Sequence, residues 1–159
     1  MRIPLKTSLI TSEDELSKLI VQYVRPNVME GDILFISEKA LACNQDRAIP
    51  VKDIEPRKLA RILSRFVSKS PYGIGLSMPE TMDMALRECG TPRILLAACV
   101  SAIGKLLGRR GWFYRVSGYK ASSIDGPCSC TIPPYNQCVV LAPSRPNAEA
   151  KRIAQLAGC

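Results

Sequence analysis

The chain reads GWFYRVSGYKASSIDGPCSCTIPPYN over residues 111–136, a segment that the remaining elements are predicted to support. It opens with an aromatic alternation that predicts a strand, turns irregular, and closes on a Pro-Pro-Tyr-Asn turn. Long irregular segments inside compact domains are usually functional or disordered, and this one is too rich in Tyr, Trp and Cys to be disordered. We therefore expect a loop that handles anions and a metal ion.

Helices and strands alternate on both sides of this loop. The apolar spacing, with Pro and Gly near helix ends, predicts helices over residues 13–24, 56–67, 79–89, 91–107 and 146–156. Strands or extended segments are predicted over residues 3–10, 33–36, 48–51, 112–116 and 138–141. Because no repeat or linker separates these elements, the sequence predicts a single domain, 1–159, of the α+β (mixed α/β) class. Its helices would flank a mixed or antiparallel sheet.

Two of the predicted helices follow capping-box spacings, in which Ser or Thr precedes Glu or Gln by three residues. Ser12 with Glu15 opens the first helix, and Ser77 with Glu80 opens the third. Both serine hydroxyls are therefore expected to cap the first turn of a helix.

Lysines and hydroxyls occur at the predicted strand ends. Such side chains can hold phosphates, and strand ends commonly hold ligands in sheets with helical crossovers. These residues are therefore candidate phosphate ligands. They are Lys6, Thr7, Ser37, Glu38, Lys39 and Arg47.

The composition is that of a globular protein with excess positive charge. Apolar residues make up 47%, charged residues 23%, and the net charge is +8. Residues 89–124 contain no acidic residue but include Arg93, Lys105, Arg109, Arg110, Arg115 and Lys120. Such a field attracts nucleotide phosphates, carboxylates, nucleic acid or acidic lipid, and the alternative is a solvated basic face.

The outer face of the helix predicted at 56–67 is also basic. It consists of Arg57, Lys58, Arg61 and Arg65. We interpret it as a solvated face, with nucleic acid as the alternative. Nucleic-acid binding is disfavoured because the aromatic residues do not interleave with the basic ones as stacking platforms do.

The seven cysteines and the absence of histidine limit the possible chemistry. No secreted disulfide framework or signal peptide is recognisable, so we expect a reducing, cytoplasmic environment. Cys128, Cys130 and Cys138 leave open a zinc site, a redox pair of the first two, or ordinary buried or surface cysteines. The apolar run at 94–107 is too short to span a bilayer and contains Lys105, which predicts a buried core helix and no membrane partner.

Asp125 lies between a run of small residues and Gly126-Pro127. A carboxylate in that position is usually a turn former. It is, however, the one local carboxylate for a divalent cation, and Mg²⁺ bound with phosphates often needs only one or two. Asp125 is therefore a candidate metal ligand.

Residues 31–47, GDILFISEKALACNQDR, resemble the GD-hydrophobic-SxK-xxSKAxGR stretch of the coenzyme F-420 γ-glutamyl ligase family. Residues 3–6, IPLK, are similar to that family's opening strand and phosphate-contacting turn. The Asp125 loop, with the strand and helix after it, is similar to the family's metal-binding loop, strand and helix. The middle of the chain resembles a bacterial branch of the same family.

This resemblance implies the amino-terminal part of the F-420 γ-glutamyl ligase fold, assembled as a homodimer. It implies an amide ligase that uses GTP or ATP to add glutamate in γ linkage to a phosphorylated, deazaflavin-type or related acceptor. Divalent Mg²⁺ or Mn²⁺, with a monovalent ion, would neutralise the phosphates. The implied roles are nucleotide binding by Leu5, Lys6, Thr7, Ser37, Glu38 and Lys39, metal binding by Asp125, and substrate or anion binding by Arg47, Arg115, Tyr119 and Lys120.

The chain departs from the family pattern within the site and at its end. Cys43 stands where the family has a nucleotide-contacting lysine, and Cys128 stands where it has an asparagine. The family continues beyond the position of Cys159 with a second metal site, so we expect this chain to lack the carboxyl-terminal segment. The alternative to a ligase is therefore a non-catalytic module that binds a phosphorylated ligand on the same scaffold.

Overall fold

The computed structural model describes residues 2–67, 75–109 and 111–159. The chain forms two compact units, which we call the terminal unit (Met1–Arg47 with Pro143–Cys159) and the central unit (Ala48–Ala142). The sequence SPYGIG at residues 70–75 predicts a glycine-containing loop that lacks the GxGxxG spacing, and it lies outside the described residues except for Gly75. Arg110 also lies outside them.

Most of the described chain is helical. The α-helices are α1 (Leu16–Leu19), α2 (Glu38–Asn44), α3 (Lys58–Ser64), α4 (Pro79–Cys89), α5 (Thr91–Leu106), α6 (Trp112–Ser117), α7 (Tyr119–Ser122) and α8 (Pro146–Ala157). The strands are β1 (Ala48–Pro50) and β2 (Cys138–Val140). Shorter helical segments are the π-helix Ile20–Val24 and the 3-10 turns Arg25–Asn27, Val51–Asp53, Gly75–Ser77 and Tyr135–Gln137.

The terminal unit is built on one apolar cluster. α1 continues directly into the π-helix, and their buried side chains meet those of α2 and α8. Burying a large aliphatic side chain contributes about 1.5–3 kcal/mol, so this cluster is what holds the unit together. We call it the terminal cluster, and it consists of Leu16, Ile20, Val24, Leu41, Ile153 and Ala157.

Side-chain amides fix the end of α2 within the terminal unit. Asn44 Nδ2 donates to the carbonyl oxygens of Thr11 at 2.9 Å and Asp14 at 2.8 Å. Gln45 Nε2 donates to the carbonyl of Ser144 at 3.2 Å, and the Ser144 amide donates to Gln45 Oε1 at 2.6 Å. These bonds tie α2 to the segment before α1 and to the segment before α8.

The central unit packs α3, α4 and α5 with a two-stranded antiparallel sheet. Ala48 on β1 pairs with Val140 on β2, and Pro50 pairs with Cys138, which confirms the strands predicted in these two places. Every residue of β2 is buried. The largest fully buried side chains of this core are Leu76, Met82, Leu86, Ile94 and Val139.

The strand predicted at 112–116 is wrong, because this segment is helix α6. Gly111 and Gly118, with φ of 85° and 87°, bound the helix at its two ends. Trp112 packs on α5 so closely that a Cβ on Gly104 would lie 3.1 Å from the indole ring. Alternation over so short a segment does not separate a strand from a helix, and the contact with α5 decides. The described chain is therefore mostly helical with a small antiparallel sheet, which confirms the predicted combination of helices with an antiparallel sheet in part, since the sheet has two strands where more were predicted.

The buried strand predicted at 33–36 is also wrong. This segment has no β partner in the described part of the chain, and Ile33 and Phe35 are 80% and 88% exposed. Leu34 and Ile36 pack against the terminal cluster instead. The apolar sequence of this segment predicted that both of its faces are buried, whereas the terminal unit covers only the face that carries Leu34 and Ile36.

Neither predicted capping box forms. The N-cap residue of α1 is Glu15 and that of α4 is Met78, and neither helix has a side-chain cap among the described residues. Asp14 instead accepts hydrogen bonds from the Thr11 amide at 2.7 Å and the Thr11 hydroxyl at 2.8 Å. These bonds, the amide first, hold the pKa of Asp14 below its ordinary value. A carboxylate rather than Ser12 therefore closes the turn before α1.

The helices with proline starts are confirmed, but α5 is not a fully buried core helix. α4, α5 and α8 each carry Pro in their first turn and lie within a residue or two of their predicted limits. On α5, Ile94, Ala97 and Gly104 are buried, whereas Leu96 and Leu106 are exposed. Within the described ranges, no single helix is long and apolar enough to cross a membrane. One bent pair, α4 and α5 at 117°, reaches that length and composition together.

Candidate functional site

The expected site residues are divided between the two units. The terminal unit carries Leu5, Lys6, Thr7, Ser37, Glu38, Lys39 and Arg47. The central unit carries Arg115, Tyr119, Lys120 and Asp125. Each group has its own structural support.

The terminal cluster anchors both segments that were expected to bind phosphate. The amino-terminal segment has no regular secondary structure, and Leu5 packs against the cluster while Lys6 and Thr7 are exposed. Ile36 packs against the same cluster, immediately before the exposed Ser37. One apolar core thus positions two short polar segments with their side chains accessible to a ligand.

α2 separates Ser37 and its neighbours from Arg47. Ser37 is the N-cap residue of α2, with φ of −62° and ψ of 128°, and Glu38 and Lys39 begin the helix. The expectation that these residues follow a strand is therefore wrong. Arg47 follows the other end of α2, after a turn in which Asp46 has φ of 56°. At about 1.5 Å per residue, the helix places the two ends about 10 Å apart.

Backbone pairing with β2 holds Asp125 in place. The Asp125 amide donates to the Val140 carbonyl and the Val140 amide donates to the Asp125 carbonyl, both at 2.9 Å. Ile124 is buried in the central core while Asp125 is exposed, which is the alternation of successive residues on a strand. Asp125 therefore presents an accessible carboxylate from a backbone that the sheet immobilises.

Arg93 fixes the corner between α6 and α7. Its Nε donates to the carbonyl of Val116 at 2.9 Å, near the end of α6. Gly118 joins the two helices with φ of 87°, and a Cβ there would lie 2.9 Å from Arg93 Nη2. Glycine suits the backbone angle, and any larger residue would also require the terminal guanidinium nitrogen of Arg93 to shift. The corner carries three exposed side chains, Arg115, Tyr119 and Lys120.

The end of α4 contributes to the same corner. Glu88 Oε2 lies 3.7 Å from Lys120 Nζ. Burial raises the pKa of the Cys89 thiol, and the charges of Arg93 and Lys120 offset part of that effect. Cys89 is thus a neutral thiol near pH 7 rather than a reactive thiolate. No local sequence signal predicts the role of Glu88, whereas Arg93 belongs to the acid-free region at 89–124.

The cysteines that follow Asp125 do not form a zinc site. Cys128 and Cys130, which the sequence left open as a pair, are joined by a disulfide. Cys138 is a buried free thiol. In the part of the chain that the structure describes, no group of three or more Cys, Asp or Glu side chains could hold a metal ion. Among the described residues, Asp125 is therefore not part of a cation site built from three or more carboxylates and thiolates.

Comparison with known protein families identifies a family for this chain. A family model described as F420-0:Gamma-glutamyl ligase matches residues 4–156. This range includes parts of both units and all the site residues that the sequence predicted. Neither a curated protein nor a solved structure matches the chain.

Proposed function

This chain belongs to the F420-0:gamma-glutamyl ligase family, and from this membership we propose that it is a nucleotide-dependent amide ligase. It adds glutamate in γ linkage to a phosphorylated acceptor of the deazaflavin type or a related one. GTP or ATP is the co-substrate. The observation that carries the proposal is the family match over residues 4–156, which spans nearly the whole chain.

The proposed reaction passes through an acyl phosphate. A carboxylate oxygen of the acceptor attacks the γ-phosphorus of GTP or ATP, and the nucleoside diphosphate leaves. The amine of glutamate then attacks the acyl carbon, inorganic phosphate leaves, and the nitrogen loses a proton as the amide forms. Because every reactant is anionic, positive charge and positioning lower both barriers, which suits a chain with net charge +8.

The terminal unit would bind the nucleotide. Lys6 and Lys39 supply positive charge, and Thr7 and Ser37 supply hydroxyl donors to phosphate oxygens. The support for this assignment is that both polar segments are anchored on the terminal cluster. The residues assigned to nucleotide binding are Leu5, Lys6, Thr7, Ser37, Glu38 and Lys39.

The central unit would bind the metal and the acceptor. Asp125 would hold Mg²⁺ or Mn²⁺, and a bound cation, with a monovalent ion, would neutralise phosphate charge. Arg115 and Lys120 are exposed cations on the corner that Arg93 fixes, and they would attract the acceptor's carboxylate or phosphate, with Tyr119 beside them. Arg47 of the terminal unit is assigned the same anion-binding role.

A second copy of the chain is the proposed partner of the terminal unit. Ile33 and Phe35 are the exposed side chains of a segment whose other side chains are packed, and burying large apolar groups is favourable. A homodimer would cover them. Analytical ultracentrifugation at tens of micromolar chain should give twice the mass of one chain, and a monomer under those conditions would contradict the dimer.

The second candidate function is a non-catalytic module that binds a phosphorylated ligand. The disulfide between Cys128 and Cys130 favours it, because Cys128 occupies the position of a family asparagine close to Asp125. This module would bind anions without a metal requirement and without releasing phosphate.

The two candidates are separated by assaying phosphate release. The full chain is incubated with GTP or ATP, Mn²⁺, glutamate and the deazaflavin acceptor, and inorganic phosphate is measured over time. Asp125→Asn should reduce the rate by about 10²-fold or more, since it removes a group that acts on developing charge. Asp53→Asn, which removes an exposed carboxylate elsewhere in the central unit, should not change the rate.

One result would exclude the ligase, namely a rate of phosphate release no higher than that of nucleotide alone. An Asp125→Asn protein as active as the wild type would instead exclude Asp125 as the metal ligand. Thermal stabilisation by millimolar nucleotide that persists in EDTA, without phosphate release, would instead support the binding module.

A further inference from the structure

A cleft in the central unit is lined by arginine and serine side chains. It has a volume of about 360 Å³, within the range of about 300–1,000 Å³ that is usual for small-molecule sites. Its walls come from α3 and the turn after it, and from the start of α4 and the turn before it. The lining residues are Arg61, Ser64, Arg65, Val67, Ser77 and Pro79.

The cleft divides the basic face of α3 into two environments. Arg57 Nε donates to the buried Asp83 Oδ1 at 2.7 Å, so its charge is compensated inside the unit. Arg61 Nε donates to a neutral backbone carbonyl at 3.2 Å. Neither Arg61 nor Arg65 forms an ion pair with any residue that the structure describes.

The remaining walls of the cleft complement the two arginines. Guanidinium groups one helical turn apart repel each other, and an anion between them removes the repulsion. Ser64 and Ser77 also line the cleft, where the Ser64 hydroxyl donates to the carbonyl of Arg61 at 3.2 Å. Among the described lining residues, none carries a carboxylate. The start of α4 adds partial positive charge, which Glu80 in the first turn partly offsets. Two guanidinium groups without a carboxylate among the described lining residues are the chemistry of a phosphate site.

We propose that this cleft binds the phosphate group of a phosphorylated small molecule through Arg61 and Arg65. Its volume suits one small molecule, and its described lining residues include no aromatic side chain on which the bases of a nucleic acid could stack. The site is additional to the proposed ligase reaction, because none of its residues belongs to the nucleotide, metal or acceptor groups assigned above. The solvated-face interpretation of Arg61 and Arg65 is replaced by a ligand-binding one.

Calorimetric titration of the full chain at low ionic strength tests this site. The probes are inorganic phosphate, glycerol 3-phosphate and GMP, all in EDTA so that no metal contributes. Arg61→Gln and Arg65→Gln should each weaken binding by about tenfold or more, because each loses a charge-assisted donor. Lys58→Gln is the matched control, since it removes one positive charge from the exposed face of α3 outside the cleft and should weaken binding by less than about twofold.

A measurement on the wild-type protein makes the test independent of variant folding. The Nε–Hε resonances of Arg61 and Arg65 should shift on addition of inorganic phosphate, and that of Arg152 in the terminal unit should not. Tighter binding of GMP or of glycerol 3-phosphate would identify the source of the phosphate group, and either supports the site.

The proposal is overturned if none of the phosphate probes binds, or if the three glutamine variants weaken binding equally, which would indicate a diffuse basic face. Binding of single-stranded RNA without binding of the small phosphates would overturn it in favour of nucleic acid. Phosphate binding should persist in Asp125→Asn, so failure of this site and failure of the ligase reaction are distinguishable.

Discussion

Replacing Asp83 with Asn should destabilise the central unit more than any substitution of an exposed carboxylate. Asp83 on α4 is 0% exposed. Its carboxylate accepts hydrogen bonds from Arg57 Nε at 2.7 Å, from the Arg57 amide at 3.3 Å and from Arg87 Nε at 2.7 Å. Arg57 is also the N-cap residue of α3. One buried carboxylate therefore joins the start of α3 to the middle of α4.

The expected loss can be worked from these contacts. An amide retains one acceptor oxygen but turns an N–H group toward the other guanidinium, so one charge-assisted bond is lost and one is weakened. Hydrogen bonds to charged groups contribute about 1.5–3 kcal/mol each. Both guanidinium groups are about half exposed, so in the variant they can form hydrogen bonds with water. The decrease in the free energy of unfolding is therefore smaller than the largest values for broken buried ion pairs. We expect the free energy of unfolding to fall by about 3 kcal/mol, and the melting temperature by about 6–12 °C.

The dependence on pH follows from the same contacts. Burial raises the pKa of Asp83, but the hydrogen bonds and charge of Arg57 and the hydrogen bond of Arg87 outweigh it and hold the pKa below its ordinary value. A carboxyl whose pKa is lower in the folded state stabilises the fold above its unfolded pKa of about 3.9. The stability difference between wild type and Asp83→Asn should therefore be full at pH 7 and shrink as the pH falls through about 4 and below.

Urea unfolding followed by far-ultraviolet circular dichroism measures this difference at several pH values. Asp53→Asn is the control, because Asp53 is exposed, and it should change the free energy of unfolding by less than about 0.5 kcal/mol. A loss below about 1 kcal/mol for Asp83→Asn at pH 7, or a loss that does not depend on pH, would refute the assignment of Asp83 as the link between α3 and α4.

Two further predictions concern the segment after α5. Gly118→Ala should lower the free energy of unfolding by about 1–3 kcal/mol, since it combines a left-handed backbone angle with a Cβ 2.9 Å from the Arg93 guanidinium. Gly108→Ala also introduces a Cβ at a positive φ, 68°, with nothing within 4 Å, and should cost less in thermal melts; equal losses would mean that neither the Arg93 contact nor the ψ of −179° at Gly118 adds to the cost. Thiol titration of the unfolded, unreduced protein should detect five thiols, rising to seven after reduction. Seven thiols before reduction would contradict the pairing of Cys128 with Cys130.

Local sequence signals were sufficient where an element depends on its own residues. α4, α5 and α8 have proline in the first turn, and Gly90 and Gly158 at their ends terminate α4 and α8. β1 and β2 were also found where they were predicted. The family resemblance came from contiguous motifs, and the family match confirmed it.

Local sequence patterns did not predict the segments whose conformation depends on residues distant along the chain. The segment at 112–116 alternates like a strand, and only the packing of Trp112 on Gly104 makes it a helix. The segment at 33–36 is apolar enough for a buried strand, but no neighbouring strand in the described chain accepts it. In both segments the local pattern left two conformations open, and tertiary contacts selected one.

The sequence by itself determined the family, the longer helices, the positive charge and the place of Asp125 on the chain. The tertiary structure alone decided what each charge does. Arg57, the N-cap residue of α3, and Arg61, within α3, carry the same charge, yet Arg57 binds the buried Asp83, 26 residues away, and Arg61 lines an open cleft. The physical reason is that the role of a charged side chain depends on the groups that it contacts. These groups come from parts of the chain that local sequence spacing does not bring together.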